Sequence, residues 1–231
     1  MAWDIFLAAG PVILKGVHLT LLITVVAFIL GQLVALPLAL AANARNPLLK
    51  WPAETYIFFI RGSPLLVQLF LLYYGLGALP WMRETILWPV LRDPLNCAIL
   101  AVGLNSAAYM GALVKGALAQ VPHGLHEAGV NLGLGRWQRL TRITLPLVYR
   151  QILPVLSNEM TLVLKASSLA STITVMEMTG AARKFVSQTW APFEAFMMAG
   201  VGYLVIGLVM AMIFRLIERF VRIPGLGGKS A

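Results

Sequence analysis

The sequence predicts an all-helical, polytopic membrane protein with about five transmembrane helices. Only 12% of the 231 residues are charged and 59% are hydrophobic, whereas about a quarter of the residues in a soluble domain are charged. The mean hydropathy is +0.83. Since a membrane span needs roughly 20 apolar residues, the chain has room for five or six spans joined by short loops. We therefore expect a single membrane domain over residues 1–231, and an ordinary soluble enzyme is excluded.

Five long apolar stretches define the predicted spans. Each is interrupted by Gly or Pro and is apolar around its whole circumference, as expected of helices that face lipid or lie inside a bundle. Their approximate limits are 17–42, 54–79, 96–118, 151–176 and 194–217. Residues 1–4 contain no basic residue and the first apolar run has no obvious small-residue cleavage site, so we expect this span to be retained rather than removed as a signal peptide. The single cysteine, Cys97, leaves no partner for an internal disulfide.

The distribution of basic residues predicts the orientation. Ten lie in the first loop, in the loop between the third and fourth spans, and at the C-terminal end, which includes a short tail over 218–231: Arg45, Lys50, Arg136, Arg139, Arg142, Arg150, Arg215, Arg219, Arg222 and Lys229. Five lie in the N-terminal segment and the other two loops: Lys15, Arg83, Arg92, Arg183 and Lys184. Because cytoplasmic loops carry the excess of Lys and Arg, we expect the N-terminus outside and the C-terminus in the cytoplasm.

The longest polar segment, 119–150, carries the most specific pattern in the chain. Its marked positions are Glu127, Ala128, Gly129, Gly133, Ile143, Leu145 and Pro146. This spacing closely resembles the EAA loop of ABC importer permeases, with Gly129 in place of the second alanine as the one departure. In that family the loop is a short helix that docks into a groove on the ATP-binding subunit. The alternative interpretation is an amphipathic loop helix that lies on the membrane surface.

The residue types of this segment predict its local structure. Glu127 and Ala128 are suited to open a helix, because a carboxylate is favourable near a helix N-terminus. Gly133 permits a tight turn or a close backbone approach. Pro146 disfavours helix at Leu145 and is suited to restart one beyond it.

Three further segments resemble permeases for polar amino acids. The first covers residues 61–75, beginning with Arg61-Gly-Ser-Pro and including Gln68; the second, 104–109, contains Asn105, Ser106 and Tyr109; the third, 165–169, begins with Lys165. The resemblance extends over about residues 15–220 and is greatest to permeases for histidine, basic amino acids and opines.

The resemblance implies a type I ABC importer fold in the bacterial inner membrane and import by alternating access. It also implies three protein partners besides membrane lipid: two copies of an ATP-binding subunit on the EAA loop, a second permease subunit, and a periplasmic substrate-binding protein. We expect the second permease to be a sister chain rather than a copy. ATP would be bound by the partner, so we expect no cofactor, catalytic residue or nucleic-acid partner for this chain.

Glu159 is the one acidic residue well inside a predicted span. Because a carboxylate in hydrocarbon is costly, it normally faces a cavity or a cationic partner. The family usually has an uncharged polar residue near this position, so Glu159 is a candidate to recognise a cationic substrate. The alternative is an internal ion pair with Lys165 or with a cation of another helix.

Other polar residues in the spans leave two interpretations open. Asn105, Ser106 and Tyr109 either line the same passage or satisfy one another between helices. Arg61 lies beside a predicted helix break and either marks a transport site, as broken helices often do, or anchors the helix end by snorkelling. Gln68 lies in the same stretch, and Lys165 is either an outer gate or an anchor.

Three remaining patterns carry less information. Gly228-Lys229-Ser230 is similar to the end of a phosphate-binding loop, but the required first glycine is replaced by Ile223. His123 and His126 have no third metal ligand beside them. Gly103, Ala107 and Gly111 form a row of small residues that lets another helix approach closely, either within the chain or at a subunit interface.

Two other functional classes are compatible with a polytopic chain. An integral-membrane enzyme should show titratable residues clustered on one side of the membrane, and here they are dispersed. A function as a channel or scaffold without ATPase coupling does not explain the EAA spacing. The sequence therefore favours a transport subunit.

Overall fold

Two Asx-Pro pairs mark the starts of long helices. The Asn46 side chain accepts a hydrogen bond from the Leu48 amide at 3.0 Å, and the Asp93 side chain accepts one from the Leu95 amide at 2.8 Å. In each case the following proline occupies the first helical turn, where its missing N–H loses no hydrogen bond. The computed structural model describes residues 2–221, and within that range the chain forms helices and their connections, with no β-strand.

The helices run in the following order. They are α1 (Ala2–Leu14), α2 (Val17–Ala42), α3 (Pro47–Gly62), α4 (Leu65–Phe70), α5 (Leu76–Ala78), α6 (Trp88–Leu91), α7 (Pro94–Ala119), α8 (His123–Asn131), α9 (Arg136–Arg139), α10 (Leu145–Ser167), α11 (Met178–Thr189) and α12 (Pro192–Val221). Two π-helical turns, Leu71–Gly75 and Leu140–Thr144, and two 3-10 stretches, Pro80–Glu84 and Ser168–Ile173, lie between them. Residues Arg222, Ile223, Gly228, Lys229 and Ser230 of the predicted tail lie outside the described residues.

Three of the described helices, α2, α7 and α12, are long and apolar enough to cross a membrane. The helix break predicted beside Arg61, within the second span over 54–79, is present. Here α3 and the α4–α5 segment meet at an angle of 107°, and together they amount to at most one broken span. The break follows from Pro64, which forces extended backbone on Ser63. The count of five spans stays a prediction.

The fourth predicted span also ends earlier than expected. Helix α10 stops at Ser167, and a 3-10 stretch carries the chain to Thr174, which has a left-handed φ of 72°. Successive hydroxyl groups in this region donate to the carbonyl three residues before, as Ser168 does to Lys165 and Thr172 to Leu169. Such local hydrogen bonds compete with the α-helical pattern. The amphipathic helix α11 that follows has no counterpart among the predicted spans.

The most extensive helix contact joins α2 and α7, and small residues make it possible. A Cβ atom added to Gly103 would lie 2.8 Å from Leu30 and 3.1 Å from the Ala27 carbonyl oxygen. A Cβ atom on Gly111 would lie 2.8 Å from Leu38. The row of small residues on α7 is therefore used within the chain, where it lets α2 approach closely.

Candidate functional site

The residues of the EAA pattern form a compact helical loop on one end of the bundle. Gly129 is buried on α8, where an added Cβ atom would lie 2.9 Å from Arg139 and 3.0 Å from Ile143. The departure from the family pattern is thus explained by packing, because glycine lets Arg139 and Ile143 lie directly on the α8 backbone. The Arg139 guanidinium also donates to the Leu134 carbonyl at 2.7 Å, which braces the loop.

Gly133 makes the predicted turn at the end of α8. Its φ is +74°, a conformation that glycine adopts without the penalty of a side chain. The Leu134 amide donates back to the Gly129 carbonyl at 3.0 Å and closes the helix. Glu127, however, does not open the helix as predicted: α8 begins at His123, directly after Pro122, so Glu127 lies in its second turn.

The connection from this loop to α10 is helical throughout. The prediction that Pro146 would interrupt the helix at Leu145 is wrong, because Leu145 has helical φ and ψ angles of −63° and −44°. The π-helical turn Leu140–Thr144 precedes the proline directly. A π turn shifts the register of the backbone hydrogen bonds, and such insertions accommodate a missing donor without breaking the helix.

Ser106 on α7 and Glu159 on α10 form a buried hydrogen bond between helices. The Ser106 hydroxyl donates to the Glu159 carboxylate at 2.7 Å, and the two side chains are only 2% and 6% exposed. In the described part of the chain no cation pairs with Glu159, so the predicted alternative of an ion pair with Lys165 is not formed. Lys165 is exposed near the far end of α10, apart from this contact.

Asn105, the neighbour of Ser106, contacts the helix break between α3 and α4. Its amide nitrogen donates to the Gln68 amide oxygen at 3.1 Å. The Gln68 nitrogen in turn donates to the Ile60 carbonyl at 2.8 Å and to Ser63, at 3.1 Å to its carbonyl and 2.8 Å to its hydroxyl. Gln68 thereby satisfies backbone groups that the break leaves without helical partners.

Tyr109, one turn further along α7, contacts Arg61. Its hydroxyl donates to the Arg61 carbonyl at 3.4 Å, and the Arg61 guanidinium lies 5.3 Å from the centre of the Tyr109 ring, within cation–π distance. Both side chains are exposed. The candidate residues of α7 therefore do not satisfy one another, since each contacts a different element.

Two buried or paired acids were not identified from the sequence. Glu177 is fully buried and caps the N-terminus of α11; it directly follows the predicted end of the fourth span and so lies outside every predicted span. Glu54 on α3 forms an ion pair of 2.6 Å with Lys115 on α7. A carboxylate is favourable near a helix N-terminus, and this is the sequence signal that indicates the role of Glu177.

Comparison with known proteins places the chain among transport proteins. Residues 34–223 match the family described as binding-protein-dependent transport system inner membrane component. The octopine transport system permease protein of Rhizobium meliloti is 44% identical over 216 residues, covering 94% of this chain and 86% of that protein. The nopaline transport system permease protein of Agrobacterium fabrum is 36% identical over 235 residues, with coverage of 99% and 98%. The arginine ABC transporter permease protein of Escherichia coli K12 is 39% identical over 210 residues, with coverage of 90% and 94%.

Solved structures agree with these relatives. The crystal structure of an amino acid ABC transporter with histidines superposes with a TM-score of 0.78 at 31% identity, over 90% of this chain and 94% of that one. An inward-facing methionine ABC transporter has the same fold, with a TM-score of 0.75 at 18% identity over 92% and 97% of the two chains. The predicted type I permease fold and the predicted family are confirmed. The chain thus belongs to the family of inner-membrane components of binding-protein-dependent transport systems, and it is a transport subunit rather than an enzyme.

Proposed function

We propose that this chain is the membrane-spanning subunit of an ATP-driven importer for basic amino acids or opines, working by alternating access with a separate ATPase docked on the EAA loop. The permeases for octopine, nopaline and arginine among its relatives support this substrate class. Arginine keeps its positive charge at every physiological pH. A carboxylate on the pathway is therefore the group that we expect to recognise it.

The observation that carries the proposal is the convergence of three elements on one turn of α7. Asn105 contacts the α3–α4 break, Ser106 contacts Glu159 of α10, and Tyr109 contacts Arg61 of α3. In hydrocarbon, a group of polar and charged side chains at one level is costly and marks a pathway more often than simple packing. Broken helices beside such a group are a recurring feature of transport sites.

One continuous helical segment links the EAA loop to this turn. The π-helical turn Leu140–Thr144 runs directly into α10, and Glu159 lies about 20 Å along the axis beyond Pro146. A partner that moves the loop would therefore move Glu159 against Ser106. A bound cation would then have different affinities in the two states, which is the condition for coupling a ligand to a conformational change.

The surface of the loop is suited to a protein partner. Leu132 and Trp137 are 77% and 72% exposed, and Arg136 beside them is exposed as well. Large apolar side chains grouped on a polar segment mark an interaction site. We assign this surface to the ATP-binding subunit, present in two copies, with the EAA-loop side in the cytoplasm as the distribution of Lys and Arg indicates.

The remaining partners follow from the family. Its description as binding-protein-dependent supports a periplasmic substrate-binding protein, and we propose a sister permease as the second membrane subunit. ATP would be bound by the ATPase and not by this chain.

The test uses the complete complex in proteoliposomes: this chain, its sister permease, the ATPase and the binding protein. With Glu159→Gln, we expect arginine uptake to fall about tenfold or more, because a neutral amide loses the attraction of a carboxylate for a cation, which is worth at least about 1.4 kcal/mol at a desolvated site. The matched control is Glu84→Gln, which removes the same charge from an exposed residue. Unchanged arginine uptake by Glu159→Gln would exclude Glu159 as a ligand.

The same preparation separates an importer from a channel or scaffold. An importer hydrolyses ATP faster when the loaded binding protein is present, and it accumulates arginine against its gradient. A channel would equilibrate arginine without ATP, and a scaffold would do neither.

A further inference from the structure

Glu177 lies between α10 and α11 and is 0% exposed. Its two carboxylate oxygens accept hydrogen bonds from the backbone amides of Thr179, at 3.0 Å, and Gly180, at 2.9 Å. These two bonds satisfy the first free N–H groups of α11, as a helix cap does. A cap alone requires no contact beyond its own helix.

The Glu177 carboxylate has two further donors, and both come from other helices. The hydroxyl of Thr20 on α2 donates to it at 3.4 Å, and the hydroxyl of Tyr203 on α12 donates to the same oxygen. Thr20 also accepts a hydrogen bond of 3.1 Å from the Met178 amide. The group of Thr20, Glu177 and Tyr203, which we call the α11 latch, thus joins the start of α11 to α2 and α12.

The backbones of α2 and α11 also pack closely at this point. A Cβ atom on Gly16, which directly precedes α2, would lie 2.6 Å from both the Glu177 carbonyl carbon and the Met178 nitrogen. Only glycine fits there, because backbone atoms cannot move aside as a flexible side chain can. The start of α2 therefore rests directly on the start of α11.

The latch lies at the end of the bundle opposite the EAA loop. Helix α10 begins at that loop and has 23 residues, which makes it about 34 Å long. Beyond its far end, the 3-10 stretch and left-handed Thr174 connect it to α11. Helix α11 also packs with α1 and α12 in a core that includes Ile13, Phe185 and Ala195. Helix α10 packs on α12 as well, through Met160 and Leu164, so this connection separates α10 from α1 and α11 but not from α12.

We propose that Glu177 is a positioning residue for transport: through the latch it keeps α11 with α2 and α12 while α10 moves, so that this end of the bundle opens across Ser168–Val175. This inference rests on the proposed function, because it requires that the EAA loop drives α10. Weakening the latch lets α11 follow α10, and the opening at this end then no longer depends on ATP and substrate together.

The experiment measures substrate transported per ATP hydrolysed, and ATP hydrolysis without binding protein, in the complete reconstituted complex. The variants are Tyr203→Phe and Thr20→Val, singly and together. Each removes one hydroxyl donor to Glu177 and keeps the bonds from the Thr179 and Gly180 amides to Glu177; Thr20→Val also removes the acceptor of the Met178 amide. Because a hydrogen bond to a charged group contributes about 1.5–3 kcal/mol, we expect the double variant to raise hydrolysis without binding protein about tenfold and to lower the transport ratio by a similar factor. Glu177→Gln should act in the same direction.

The matched control is Tyr56→Phe, which removes a different interhelical hydrogen bond of a half-buried tyrosine, 2.7 Å to the Leu104 carbonyl. A purely structural role predicts lower yield or thermal stability for all these variants at a constant transport ratio. A ratio that is unchanged in the latch variants, or equally lowered by Tyr56→Phe, overturns the inference. If Glu177→Gln does not assemble with the ATPase, the transport ratios of Tyr203→Phe and Thr20→Val test the inference. A wild-type complex that does not couple hydrolysis to transport would instead overturn the proposed function.

Discussion

Ser106 of α7 donates a 2.7 Å hydrogen bond to the Glu159 carboxylate of α10, and neither side chain has appreciable contact with solvent or lipid. The adjacent Gly31 on α2 makes room for it, since a Cβ atom there would lie 2.9 Å from the Ser106 hydroxyl oxygen. Three helices therefore meet at one buried polar contact, and that contact is open to direct testing.

Replacing Ser106 with alanine should destabilise the protein, because it leaves the Glu159 carboxylate buried without its hydrogen-bond donor. We expect a cost of about 1–3 kcal/mol, measured as a lower thermal midpoint of the purified protein in detergent. The control is Ser187→Ala, which removes only a local hydrogen bond on an exposed part of α11. Adding Ser106→Ala to Glu159→Gln should cost less than adding it to the wild type. Additive effects would mean that the two side chains are not coupled.

Gly133→Val should prevent docking of the ATPase. Valine at a φ of +74° is a steric outlier, so the turn that closes α8 would be lost. The measurement is co-purification of the ATPase with this chain, which we expect to fall at least tenfold, corresponding to about 1.4 kcal/mol of docking free energy. Gly124→Val is the matched control, because Gly124 lies on α8 with open space around it. Normal co-purification and transport with Gly133→Val would contradict the docking assignment.

Gly103→Ala should weaken the contact between α2 and α7. The added methyl group meets both a Leu30 methyl group and the Ala27 carbonyl oxygen, and overpacking of this kind costs about 1–3 kcal/mol. Gly116→Ala, on the same helix with no atom within 4 Å of the added methyl group, should leave stability unchanged or raise it slightly. Equal thermal midpoints for the two variants would show that the helices separate easily.

Gln68→Leu should loosen the break between α3 and α4, because the Ile60 and Ser63 carbonyls lose their donor. The readout is maleimide labelling of a cysteine introduced by Gly62→Cys, a position with open space around it. Native Cys97 is buried and should contribute little labelling. We expect labelling to become several-fold faster with Gln68→Leu, in keeping with the loss of one or two hydrogen bonds of about 1 kcal/mol each. An unchanged rate would show that Pro64 alone fixes the break.

The sequence alone determined the helical class, the family and the composition of the EAA loop. These depend on local properties: low charge, long apolar stretches, and residue types at fixed spacing. The left-handed turn at Gly133 was predictable for the same reason. The first span was predicted at 17–42 and is found at Val17–Ala42, because both limits coincide with changes in composition.

Only the tertiary structure decided how the polar residues are paired. Ser106 and Glu159 are 53 residues apart in sequence, and Thr20 and Glu177 are 157 apart, so their contacts depend on how the helices pack and not on any local pattern. The same reason explains why the sequence indicates Glu159 as the one internal acid. Composition identifies an acid within an apolar stretch. Glu177 lies outside such a stretch, and it is buried because α2 and α12 pack over the start of α11.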